Sequence, residues 1–161
     1  MALDVLQGPA AAAPGRDVQD ELHGHYIEDL AKGMTALYSR TVTEADLVMF
    51  AGVTGDTNPL HLDHEFASNG VFAGRVAHGM LTASFVSTVL GTKLPGPGSI
   101  YLSQTLRFKA PVRIGDTVKA RATVVEINPE KRRVTLVTVC TVANEIVLEG
   151  EAQVVVPSRA A

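Results

Sequence analysis

Cysteine is almost absent: Cys140 is the one thiol in 161 residues. It can form no internal disulfide, and its apolar, β-like surroundings suit a buried structural thiol. No secretory signal is expected either. Residues 1–24 include Ala10 to Ala13 but have neither a basic start nor a real apolar core, so a cytoplasmic protein is expected. Charge is sparse at 19%, and the net charge of −3 argues against a nucleic-acid partner. The charge-free stretch 79–91 has thirteen residues, short of the roughly 20 that cross a bilayer, so no membrane partner is expected. What remains is 46% hydrophobic, enough for one domain with a real core. The boundaries read as a flexible extension over 1–24, a single domain over 25–157 and a tail over 158–161.

The stretch 79–91 organises the rest. It is too long for an ordinary buried strand, and the run Pro95-Gly96-Pro97-Gly98 stops it, so it predicts a helix. Met80, Leu81, Phe85, Val86, Val89 and Leu90 cover more than one face, with only small or hydroxylic residues between them. An amphipathic helix would carry a polar stripe. This one is expected to be buried on every side, its hydroxyls bonding back to carbonyls four residues earlier.

Before it, a strand is predicted over 34–42, with Leu37, Ser39 and Thr41 on one face. Thr43 and Asp46 then form a capping pair opening a helix. An irregular Gly/Asn/Pro-punctuated segment follows, with a short helix over 65–68 capped by Asp63 and a turn at Asn69-Gly70. After Gly98 the pattern has period two. Ile100, Leu102, Gln104, Leu106 and Phe108 form one row; Val118, Ala120, Ala122 and Val124 another. Residues 134–142 are apolar and threonine-rich, and Ile146, Leu148, Gly150, Ala152 and Val154 form the last row. Hairpin turns fall at 128–131 and 143–145. The fold class is therefore α+β: a curved antiparallel sheet wrapped around a central buried α-helix, the hot-dog fold.

Chemistry concentrates at Asp56 and His61. Fully extended, five residues would separate them by roughly 17 Å. Gly55, Asn58 and Pro59 argue for a chain that doubles back. Brought together, a carboxylate and an imidazole form an acid–base pair able to activate a shared water. The same residues also fit an Asx-turn aspartate beside a histidine bonded to backbone.

The run Phe50-Ala51-Gly52-Val53-Thr54-Gly55-Asp56-Thr57-Asn58-Pro59-Leu60-His61 resembles the signature of the (R)-specific enoyl-CoA hydratases, in the MaoC-like branch of hot-dog proteins. Ala77-His78-Gly79-Met80-Leu81 and Gly98-Ser99-Ile100-Tyr101-Leu102 resemble the same family, and the likeness spans roughly 35–156. It implies a homodimeric hydro-lyase that reversibly adds water to trans-2-enoyl-CoA, giving (R)-3-hydroxyacyl-CoA. No metal or redox cofactor is implied; coenzyme A belongs to the substrate. Asp56 and His61 take the places of the catalytic pair, the Gly79 N–H that of the oxyanion donor, and Ser87 that of a helix serine near the acyl group. Asn58 joins Ser87 as a substrate-side residue. A glycine opening a helix suits the oxyanion role, because unpaired N–H groups and the positive dipole end collect there.

Other residues carry weaker signals. His61, Asp63, His64 and His78 are metal-ligand types, but no four fall at fixed ligand spacing. His78 reads as a loop anchor. Arg75, Arg107, Lys109 and Arg113 could meet coenzyme A phosphates or form a solvated face, and Gln104 could bond the helix or the site. Competing functions are a dehydratase working in reverse on a CoA or acyl-carrier-protein thioester, a hot-dog thioesterase, and a non-catalytic acyl-CoA-binding subunit. The last needs neither Asp56 nor His61.

Overall fold

The computed structural model describes residues 21–160. Its elements are β1 (Thr35–Thr41), α1 (Glu44–Thr54), α2 (Pro59–Leu62), α3 (His64–Ser68), α4 (Gly79–Thr92), β2 (Ile100–Phe108), β3 (Thr117–Asn128), β4 (Arg133–Val142) and β5 (Glu145–Val155). The strands form one sheet in the order β1-β3-β4-β5-β2, antiparallel throughout. Its concave face wraps α4. Val118, Ala120, Ala122 and Val124 of β3 and Val134, Leu136 and Cys140 of β4 are buried in the same core as Phe85, Val86, Val89 and Leu90 of the helix. This is the hot-dog arrangement.

Local chemistry accounts for the helix starts. The Thr43 hydroxyl accepts from the Asp46 N–H, and Asp46 accepts from the Thr43 N–H at 2.8 Å. That reciprocal box satisfies two of the donors a helix start leaves open. Arg40 of β1 pairs with the same carboxylate, stapling strand to helix. Asp63 caps α3 through the Phe66 N–H. Gly55 ends α1 in the left-handed region at φ 77°, where a side chain would be strained.

The structure corrects two sequence expectations. First, α4 is not buried on every side. Met80, Ser84, Ser87 and Gly91 form an open stripe at helical spacing, and Met80 is 54% exposed. Five strands cover only part of a cylinder, and lack of charge does not ensure a cover. Of the hydroxyls, Thr92 bonds back to the Thr88 carbonyl at 2.6 Å and Ser84 to Leu81 at 2.6 Å.

Second, β-bulges in β2 and β5 shift the expected inward rows. In β2 the pairing jumps from Tyr101 opposite Val154 to Ser103 opposite Gln153, leaving Leu102 as the extra residue. Tyr101 and Gln104 therefore sit opposite Val154 and Ala152, which line the core, while Ile100 is 61% exposed. In β5 a similar shift at Val147 buries that residue and turns Ile146 outward. One extra residue reverses every side chain beyond it, and period-two reading cannot detect it.

The ends of the described segment are clasped. Gly24 and His25 donate to the Pro97 and Pro95 carbonyls at 2.8 Å each, and Arg159 forks onto Asp29 at 2.7 and 2.8 Å while lying over the Tyr26 ring. Residues 1–20, most of the expected flexible extension, lie outside the described residues. Among those described, no helix is long and apolar enough to cross a membrane.

Candidate active site

The site gathers where α1 ends, α2 begins and α4 starts. Beyond Gly55 the chain turns. Asn58 caps α2, its amide oxygen accepting from the Leu60 N–H at 3.1 Å, and Pro59 opens that helix. The turn folds residues 56–61 back on themselves. Ligand atoms of Asp56, His61 and His78 all lie within 4.8 Å of one another, against the roughly 17 Å of an extended chain.

Each side chain is held differently. His61 is buried, and its Nδ1–H donates to the Val76 carbonyl at 2.8 Å. That tautomer leaves the Nε2 lone pair for chemistry. Asp56 is exposed; its Oδ1 accepts from the Asn58 N–H at 3.3 Å, and its own N–H donates to Thr54 Oγ1 at 3.2 Å. His78 is 1% exposed and donates from Nε2 to the Asp56 backbone carbonyl at 3.0 Å. Its ring faces His61, with centroids 3.8 Å apart and planes tilted by 34°. His78 Nδ1 is buried with no hydrogen-bond partner among the described residues, a condition that costs about 1–3 kcal/mol.

Two cavities flank this cluster. One, of about 430 Å³, is lined by His61, Gly79, Phe108 and Lys109 among others. The second, of about 580 Å³, is lined by Asp56, Ser84, Ser87, Tyr101 and Gln104 among others. Met80 borders both. Gly79, the first residue of α4, has an N–H that the helix ladder cannot pair. Phe108 packs over this glycine. The polar wall of the second cavity is a relay: Tyr101 donates to Gln104 Oε1, and Gln104 Nε2 donates to Thr138 Oγ1 at 2.9 Å. Burial pushes the Tyr101 hydroxyl up to about 12, so it stays a neutral donor.

Of the sequence candidates, Asp56, His61, Gly79 and Ser87 border the two cavities, whereas Asn58 borders neither and spends its amide oxygen on the α2 cap. Arg75 pairs with Glu44, Arg107 reaches Glu149 at 3.7 Å and Arg113 holds the Phe72 carbonyl. Lys109 borders the His61 cavity and also reaches Glu149, at 3.5 Å. Asp56, His61 and His78 are metal-ligand types brought close. Rings facing each other at 3.8 Å carry their lone pairs in neighbouring planes, which suits stacking better than chelation of one ion. The three-way contact of His78 with Asp56 and His61 escaped sequence reading, because 22 and 17 residues separate it from them.

The family described as MaoC like domain matches residues 29–146. The chain belongs to this family. As a MaoC-like protein it is 55% identical over 140 residues to the (R)-specific enoyl-CoA hydratase of Rhodospirillum rubrum, a likeness covering 87% of this chain and 97% of that one. It is 50% identical over 139 residues to the 3-hydroxybutyryl-CoA dehydratase of Methylorubrum extorquens, covering 86% and 88%. Among solved structures, the unliganded R-hydratase of Pseudomonas aeruginosa superposes with a TM-score of 0.79 at 43% identity, covering 83% of this chain and 86% of that one. The MaoC-like match contains the whole Asp56–Gly79 cluster.

Proposed function

We propose that the protein is an (R)-specific enoyl-CoA hydratase, adding water across the double bond of a trans-2-enoyl-CoA to give the (R)-3-hydroxyacyl-CoA. The observation that carries this is the approach of Asp56 and His61 beside the free N–H end of α4. His61 Nε2 and the Asp56 carboxylate hold one water between them. The water oxygen bonds to C3 as one proton leaves it for the pair, and the π electrons shift toward the thioester. The Gly79 N–H and the helix dipole meet the charge that gathers on the thioester oxygen. A proton from the pair then reaches C2. Both new bonds form on the face turned to the pair, so the addition is syn. It has no net redox change and requires no redox cofactor. Asn58 serves by making the turn, and Ser87 lines the acyl side.

Every step is reversible, and likeness to a 3-hydroxybutyryl-CoA dehydratase supports dehydration in the other direction. The active unit is a homodimer. Among the described residues the outer edge of β2 is unpaired; it carries exposed Ile100 and Leu102, the latter beside the open Met80 stripe, so two sheets join there edge to edge. A cytoplasmic setting suits the lone, buried Cys140. The test is to mix protein with trans-2-enoyl-CoA and follow loss of the conjugated thioester absorbance, then assign the product's chirality. No loss of absorbance, or an (S) product, overturns the proposal. Sedimentation of the active species checks the dimer.

A further inference from the structure

We infer that His78 is a positioning residue that locks Asp56, His61 and Gly79 into one constellation. This rests on the hydratase reading. His78 borders neither cavity, so it does not meet the substrate. It touches all three proposed catalytic elements instead. Its Nε2–H holds the Asp56 carbonyl at 3.0 Å, its ring face supports the His61 ring at 3.8 Å, and its backbone leads directly into Gly79. Its carbonyl accepts from the Leu81 and Thr82 N–H groups at 3.0 and 3.3 Å, which fixes the start of α4. The Phe50 ring also packs against it, with centroids 5.0 Å apart.

Two features separate this from simple packing. A buried ring there only to fill space would be better as phenylalanine, which has no nitrogen to leave unpaired. His78 keeps an orphaned Nδ1, so the useful part of the imidazole is the Nε2–H. Asp56 also needs that donor. It is exposed and follows the left-handed Gly55, and among the described residues its carboxylate accepts only from the Asn58 N–H at 3.3 Å. The residue is aimed mainly through its backbone, between Thr54 and His78. Losing the Nε2–H frees the carboxylate to drift from the water it shares with His61, and about 1 Å of misplacement lowers turnover by on the order of 10²-fold.

The experiment compares wild type, His78→Phe and His78→Gln in steady-state hydration of a trans-2-enoyl-CoA. Phenylalanine keeps the stacked ring without the donor; glutamine offers an N–H of similar reach. The expected result is a fall in kcat of on the order of 10²-fold for His78→Phe, with KM unchanged, and recovery of most of that loss in His78→Gln. A folded His78→Phe protein with wild-type kcat overturns the inference, as does a kcat loss that glutamine does not repair. Should the Phe variant not fold, long-range proton–nitrogen NMR of the wild type decides. The proton on Nε2 supports the inference, and a proton on Nδ1 overturns it. A wild type inert toward the substrate overturns the hydratase reading along with this one, whereas an active wild type beside a fully active variant overturns this one alone.

Discussion

Phe108 of β2 lies against Gly79 at the head of α4: a Cβ added to the glycine would come 2.8 Å from the ring edge. Gly79 has no left-handed backbone, so sterics alone decide what an added methyl does. Gly79→Ala is expected to gain roughly 1 kcal/mol in helix propensity and to spend it displacing Phe108. As Phe108 is 52% exposed, the ring has room to move. In the proposed mechanism the same methyl would stand in the thioester's path to the N–H, and kcat should then fall about 10²- to 10³-fold. Pairing it with Phe108→Ala separates the effects: relief of the clash should restore any lost Tm without restoring turnover. A double variant with normal kcat would show that the glycine serves packing alone.

Asp56→Asn and His61→Gln should each lower kcat by on the order of 10²-fold or more. Their ligand atoms lie within 4.8 Å of each other, and in the proposed mechanism they share one water, so the double variant should lose less than the product of the two. Multiplicative losses in a double-mutant cycle would mean that the residues act in separate steps.

Asp46 gives the fold an acid-sensitive joint. Burial by itself would raise its pKa, but the hydrogen bonds from the Thr43 hydroxyl and N–H, with the Arg40 guanidinium, outweigh it and hold the carboxyl below its ordinary value. A group depressed in the folded state adds stability above its unfolded pKa of about 3.9, and that stability disappears as pH falls through the lower folded value. Asp46→Asn should therefore lower Tm at pH 7, by an amount matching a loss of about 1–3 kcal/mol. The difference from wild type should shrink below about pH 4. Equal differences at pH 7 and pH 3 would contradict this account.

Cys140 should be inert in the folded protein. It is fully buried, its S–H points to the Thr82 carbonyl at 3.9 Å, and burial pushes the thiol up to about 12. An aromatic disulfide reagent at pH 8 is expected to titrate no thiol until denaturant is added, and then one. Rapid reaction under native conditions would refute the burial.

The chain's local signals determined much of this protein. Thirteen charge-free residues ended by Pro-Gly-Pro-Gly specify a helix too apolar for water, and alternation on either side of it supplies strands to wrap it. The Thr43–Asp46 box and the Gly55–Pro59 turn are contacts between near neighbours, so composition and spacing suffice to place them. Tertiary structure decided the rest. The bulges at Leu102 and Val147 chose which residues face the helix, because register depends on the partner strand. The open Met80–Gly91 stripe follows from how far five strands can curve. Long-range packing also set His78 against Asp56 and His61, and Phe108 over Gly79. Such contacts join residues far apart in the chain, and their directions depend on the assembled, curved sheet rather than on any local pattern.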